Sequence, residues 1–254
     1  MAGHSGMTEA VHGSVPPFGP APWRFVEHPS RGAAAAALGE AAAADLAAAL
    51  DRRARALFVA PGGRSPVPFL HDLAGRDLPW TRVDVLPGDE RWVAADDARA
   101  NEGLLRATLP LGGASGARLV SLLTTMNTVA AGAAAADVRL RETLGDAPVP
   151  DVAVLGMGTD MHTASLIPGA AGLEAALDPH GPRLVHALTP ADGGPARLTL
   201  ALPVLARARA LYIFITGAAK RAALETAAAA PDAVAPVAAL ARAAGRPPVV
   251  HWAP

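Results

Sequence analysis

The chain has 254 residues, 51% of them apolar and 18% charged, which is enough length and hydrophobicity for a substantial buried core. Its 22 basic and 23 acidic residues leave a net charge of −1, so no general attraction to nucleic acid or to an anionic membrane is expected. The absence of cysteine excludes a disulfide framework, thiolate metal sites and a cysteine nucleophile, and it fits a reducing cytoplasm.

Met1 to Pro22 is rich in Gly, Pro, His and Ser without an apolar run, and reads as a disordered tail rather than a secretory signal. Residues 23–254 contain no repeat and no linker, and read as a single domain. Ala33 to Leu50 is an alanine-rich helix interrupted by Glu40 and Asp45, too weakly apolar to enter lipid. Leu57-Phe-Val-Ala60 is a buried strand closed by Pro61-Gly62-Gly63, with a helix following from Pro66 to Ala74. Val83 to Leu86 is a second strand ending at Pro87-Gly88, and helices follow over Asn101–Thr108 and Thr128–Leu144. Val152 to Leu155 and Leu211 to Thr216 are two more strands, each closed by glycine. Helices over Ala218–Ala230 and Pro236–Ala244 and a short strand over Val249–Trp252 complete the chain. Apolar runs of four to six residues, each followed by a turn and a helix, predict an α/β fold with one doubly wound, mostly parallel sheet flanked by helices. Ligands of such sheets bind at the carboxyl ends of the strands.

Four segments that follow strands carry candidate chemistry. Gly62-Gly63-Arg64-Ser65 offers close backbone approach and helix N–H groups to an anion, although Ser65 could equally serve as a helix cap. Asp89-Glu90-Arg91 places three charges directly after a buried strand, and a solvated turn is the alternative. Gly156-Met-Gly158-Thr-Asp160-Met-His162 lacks the third glycine of a dinucleotide fingerprint, but His162 two residues after Asp160 suggests a catalytic pair. Of the 22 basic residues 21 are arginine, and the one lysine, Lys220, opens a helix after a strand, where an ammonium would suit an anion such as phosphate. Arg197 is a weaker candidate for the same task. Together these loops point to a phosphorylated small molecule held by cations and backbone amides beside a histidine base.

The same residues resemble the 6-phosphogluconolactonase family. Leu57-Phe-Val-Ala-Pro-Gly-Gly-Arg-Ser-Pro66 is similar to its strand followed by G-G-S-T-P, and Gly88-Asp-Glu-Arg-Trp-Val93 to its D-E-R-x-V, with Asn101 matching a following asparagine. Asp151 to Gly169 resembles D-L-v-L-L-G-M-G-x-D-G-H-T-A-S-L-F-P-G, and Arg197-Leu-Thr-Leu and Gly217-Ala-Ala-Lys220 resemble R-i-T-l and G-x-x-K. The resemblance implies hydrolysis of the δ-lactone of 6-phosphogluconate without metal, nucleotide or other cofactor, by a monomer or homodimer. It also implies His162 as general base, Asp160 as the residue that orients or polarises it, and Arg91 as stabiliser of developing charge or holder of substrate hydroxyls, with Asp89 beside it. Arg197, Lys220, Gly62, Gly63, Arg64 and Ser65 would hold the phosphate, and Asp89 and Asn101 would also bind the substrate. Arg64, Ser65, Ala100 and Met161 depart from the family pattern. If position 161 requires φ > 0, methionine there costs about 1–2 kcal/mol or displaces the histidine. Two other readings are a glucosamine-6-phosphate deaminase-like enzyme and a non-catalytic sugar-phosphate-binding protein. The deaminase pattern has Tyr at the position of Arg91 and an acidic residue after its histidine, where Thr163 to Pro168 has none.

Overall fold

A strand whose residues are all apolar can sit only where both faces of its sheet are covered. The computed structural model, which describes residues 22–113 and 116–254, builds its fold on that constraint. The tail read over Met1–Pro22 lies, but for its last residue, outside the described residues. In chain order the elements are β1 (Arg24–Glu27), α1 (Arg31–Leu50), β2 (Ala56–Ala60), α2 (Val67–Ala74), β3 (Val83–Pro87), β4 (Asp89–Arg91), α3 (Asn101–Thr108), β5 (Arg118–Leu119) and α4 (Val129–Leu144). They continue with β6 (Val152–Leu155), α5 (Leu173–Leu177), β7 (Val185–Leu188), β8 (Arg197–Leu200), α6 (Leu202–Ala206), β9 (Ala210–Thr216), α7 (Ala218–Ala227), α8 (Pro236–Ala243) and β10 (Val249–Ala253).

Seven strands form one parallel sheet in the order β1-β10-β9-β6-β2-β3-β5. The chain moves outward from β2 through β3 to β5, then returns and moves outward the other way from β6 through β9 and β10. The order therefore reverses between the neighbours β2 and β6, and their carboxyl ends flank a crevice of the kind that binds ligands in open α/β sheets. Side chains alternate across the sheet: Ala56, Phe58 and Ala60 face α1 and α2, while Leu57 and Val59 face α4 and the elements around it. Ile213, Ile215, Val250 and Trp252 pack against α7 and α8.

Helix α1 is the one helix among the described residues long and apolar enough to cross a membrane. Ala34, Leu38, Ala42 and Leu46, one per turn, are nevertheless fully buried in the layer between the sheet and α2. Ser30 caps its first turn and Thr128 caps that of α4, each accepting from the backbone N–H three residues on.

The segment after Gly88 is not a loop. Asp89–Arg91 forms β4, which pairs antiparallel with β8, itself paired with β7, in a second three-stranded sheet. The apolar run from Arg197 to Leu202 is divided by Ala201 into β8 and the start of α6. Ser65 does not cap α2; Pro66 occupies the cap position and no side chain bonds there, which leaves the Ser65 hydroxyl free of that duty.

One buried polar cluster lies on β10, away from the crevice. His251 is 5% exposed, stacks on His28 with ring centres 5.1 Å apart, and shares a hydrogen bond of 3.1 Å with it. The edge of Tyr212, whose hydroxyl donates to Asp45, completes its surroundings. Burial, then the neighbouring His28 and Arg24, push His251 down from 6.5 to about 4. Between those values the unfolded chain binds a proton that the folded chain refuses, so stability falls as pH drops. The loss due to His251 is about 2 kcal/mol between pH 7 and pH 5. Urea midpoints at the two pH values should show it in the parent and much less of it in His251→Leu. An unchanged pH slope in the variant would remove His251 as the cause.

Candidate active site

The turn after β2 and the turn after β6 meet at the crevice, and each is shaped by close packing. A Cβ on Gly62 would lie 2.2–2.4 Å from the Asn101 amide, and Gly63 has φ +81°. Asn101 accepts from the Gly63 N–H at 3.2 Å and donates to the Asp89 carbonyl at 2.9 Å and carboxylate at 3.1 Å. The other Asp89 oxygen accepts a short hydrogen bond from the Ser165 hydroxyl. Asn101, Asp89 and Ser165 are all buried, so they form a polar line that ties β2, β4 and the turn after β6 together.

Glu90 was not assigned a role from the sequence, and the structure gives it one. Its side chain is wholly buried and accepts from the N–H groups of Arg91 at 2.8 Å, Asn101 at 2.6 Å and Glu102 at 2.7 Å. It thereby supplies the cap that α3 cannot obtain from Ala100 at its own cap position. Burial raises the Glu90 carboxyl above the usual range, and the three N–H donors partly oppose that rise. No cue in the sequence marked it, since only once Asp89–Arg91 is a strand do Asp89 and Arg91 share one face and Glu90 point to the other.

His162 is held by its own turn. Its Nδ1 is 2.6 Å from Asp160 Oδ1, and its backbone N–H donates to the same oxygen at 3.4 Å. Gly158 N–H donates to the His162 carbonyl, and Met161 N–H donates to the Gly158 carbonyl, both at 3.1 Å. A Cβ on Gly158 would sit 2.4 Å from the His162 ring and 2.2 Å from Asp160, so the ring lies directly on that glycine. Asp160 accepts at Nδ1, which leaves Nε2 as the ring nitrogen able to take a proton. The condition attached to position 161 is met: Met161 has φ +67°, a strain of about 1–2 kcal/mol for a side chain other than glycine. The contact between His162 and Asp160 is made with this backbone. Ala164, with φ +49°, is a second left-handed residue in the turn that no sequence cue marked.

The cations converge on the same crevice. A cavity of about 240 Å³ is lined by Gly62, Gly63, Arg64, Ser65, Asp89, Arg91, His162, Arg197 and Lys220, together with Gly158, Ser165 and Phe214. Two of the residues assigned from the sequence do not line it: Asp160 stands behind His162, and Asn101 stands behind Gly62 and Asp89. Arg91 and Arg197 are direct partners across the β4–β8 ladder, a like-charge pairing that disfavours the sheet unless an anion lies near. Arg91 gives one Nη to the Arg99 carbonyl at 2.7 Å, while its buried Nε has no partner among the described residues. Burial and the neighbouring Arg91 lower the Arg197 guanidinium, and burial lowers the Lys220 ammonium against the opposing pull of Asp160. A negative charge placed beside either cation would oppose its shift.

A histidine paired with an aspartate and this set of cations at a sheet's switch point narrow the chemistry, and comparison with known proteins narrows it further. The sequence model of the family described as glucosamine-6-phosphate isomerases/6-phosphogluconolactonase matches residues 29–251. The chain belongs to this family. Among its members, 6-phosphogluconolactonase of Pseudomonas aeruginosa is 40% identical over 234 residues, 91% of this chain and 93% of that one. The 6-phosphogluconolactonase of Rhizobium meliloti is 42% identical over 229 residues, 90% of this chain and 97% of that one. The crystal structure of a 6-phosphogluconolactonase from Shewanella baltica superposes with a TM-score of 0.83 at 32% identity, over 91% of this chain and 98% of that one. The family match begins within the segment that precedes α1 and ends in β10, so it takes in every strand that borders the crevice.

Proposed function

We propose that the chain hydrolyses 6-phospho-D-glucono-1,5-lactone to 6-phospho-D-gluconate. The observation that carries this reading is the His162 ring, fixed at Nδ1 by Asp160 and lining a cavity to which four cationic side chains contribute. In the reaction Nε2 takes a proton from water as its oxygen attacks the lactone carbonyl. Arg91 stabilises the resulting oxyanion with charge and N–H donors already in place. The tetrahedral intermediate then collapses, the bond from C1 to the ring oxygen breaks, and the imidazolium returns its proton to that oxygen. The open-chain product leaves as a carboxylate. Arg197 and Lys220, with Arg64, the Ser65 hydroxyl and the Gly62-Gly63 amides, hold the phosphate and so orient the ring. Asn101, itself held by Asp89, keeps the Gly63 amide in position, and Asp89 lines the cavity beside Arg91.

A lactone is an activated ester, so one base and one oxyanion partner suffice, and no step in this scheme calls on a metal or a cofactor. Ring opening by the deaminase route needs an acid after the histidine, and Thr163 to Pro168 offers no carboxylate. Against the binding-only reading, the His162 ring is hydrogen-bonded to Asp160 at Nδ1 and lines the cavity, which supports a catalytic role. The reaction belongs in the cytoplasm, since a phosphorylated lactone does not cross a bilayer unaided, and a monomer or homodimer suffices for it because all the named groups come from one chain. Freshly generated lactone, in buffer with a chelator and no nucleotide, should disappear much faster with the protein than without it. Equal rates with folded protein would overturn the proposal.

A further inference from the structure

Methionine at position 161 is costly in backbone terms, since φ is +67° and a glycine would adopt that conformation freely. Its backbone and its side chain both make contacts, and only the second depends on methionine. The Met161 carbonyl accepts from the Val237 N–H at 3.2 Å, one of the first-turn donors of α8 that have no partner within the helix. Its side chain is half-buried against the cluster that Leu224, Val237, Ile215 and Trp252 form between β9, β10, α7 and α8. The residue lies between Asp160 and His162, and the turn that holds the ring closes through Met161 N–H and Gly158.

We propose that Met161 is a positioning residue, an apolar anchor that docks the Asp160–His162 turn on the α7–α8 layer and so sets the orientation of the His162 ring. A flexible thioether suits this task because it fills an irregular gap from a constrained backbone. Lys220 lies on α7, so the same layer carries the phosphate-binding ammonium, and the anchor fixes the distance between base and phosphate site. The inference rests on His162 being the base of the proposed hydrolysis.

The test compares Met161→Gly, Met161→Ala and Met161→Leu. Glycine relieves the backbone and keeps the bond to Val237, but removes the anchor; leucine keeps an apolar anchor. If the anchor orients the ring, kcat in Met161→Gly falls about tenfold with KM unchanged, because small misplacements of a reacting group cost that much or more. Its melting temperature stays close to that of the parent. Met161→Ala loses at least as much kcat, and Met161→Leu recovers to within about twofold of the parent. The His162 Cε1 NMR resonance, assigned from its absence in His162→Gln, should be single and sharp in the parent and in Met161→Leu, and broadened or split in Met161→Gly. Parent-like kcat and a parent-like resonance in Met161→Gly would overturn the proposal, as would Met161→Leu being as slow as Met161→Ala. A parent protein that does not accelerate lactone loss would overturn the proposed function instead, while the NMR comparison would still decide the anchor.

Discussion

His162→Ala is expected to lower kcat by about 10²–10⁴-fold while leaving KM within about twofold. The split follows from the geometry. His162 makes its one strong side-chain contact with Asp160, and the groups assigned to the phosphate are other residues, so ground-state binding survives its loss. Stability should survive as well, because the ring is 36% exposed and supports nothing above it. Asp160→Asn should fall in the same direction by a smaller factor, since an amide can still accept at Nδ1 but no longer stabilises the imidazolium that forms during proton transfer. Steady-state kinetics on fresh lactone, corrected for spontaneous hydrolysis, reads both. A His162→Ala protein that retains the parent kcat would assign the base elsewhere and would remove the role given to Asp160 with it.

Lys220→Ala should raise KM for the phosphorylated lactone by about 10–100-fold, the range expected for loss of a charge-assisted contact from a partly enclosed site. The same variant should act on unphosphorylated glucono-δ-lactone within about twofold of the parent. Lys220 forms no ion pair with a protein carboxylate among the described residues, and burial disfavours its charge in the free protein. Bound phosphate relieves that cost, which makes the contribution to binding large and specific to the phosphorylated substrate. Arg197→Ala should behave similarly, with an added loss of stability from the β4–β8 ladder kept small by relief of the Arg91–Arg197 repulsion. Equal loss on both lactones would show that Lys220 acts at the reacting carbonyl and not at the phosphate.

The five residues of β2 and the four of β6 are legible as strands because a continuous apolar run needs no partner to declare itself. Asn101–Thr108 emerges as a helix over the same residues that its pattern predicts, and the helices at 129–144, 218–227 and 236–243 differ from their predicted spans by no more than three residues at an end. Arg64, Asp160, His162 and Lys220 were legible as a group for a related reason: each follows a parallel strand within a few residues, and a parallel sheet carries all such segments to one edge.

The second sheet was not legible. β4 consists of Asp89, Glu90 and Arg91, which have no strand propensity of their own, and its partner β8 begins more than a hundred residues later. That pairing alone sets Arg91 opposite Arg197, turns Glu90 inward to cap α3, and brings Asp89 to Ser165 and Asn101. The left-handed backbone at Met161 is of the same kind: residue identity argued against it, and the packing of its side chain on α7 and α8 sustains it. Local pattern and composition determined which segments form the parallel sheet and which residues gather at its carboxyl edge, because burial and turn chemistry act within a few residues. Which of those residues face the cavity and which stand behind it was settled by contacts between segments far apart in the chain, whose strength depends on burial that no single segment can create.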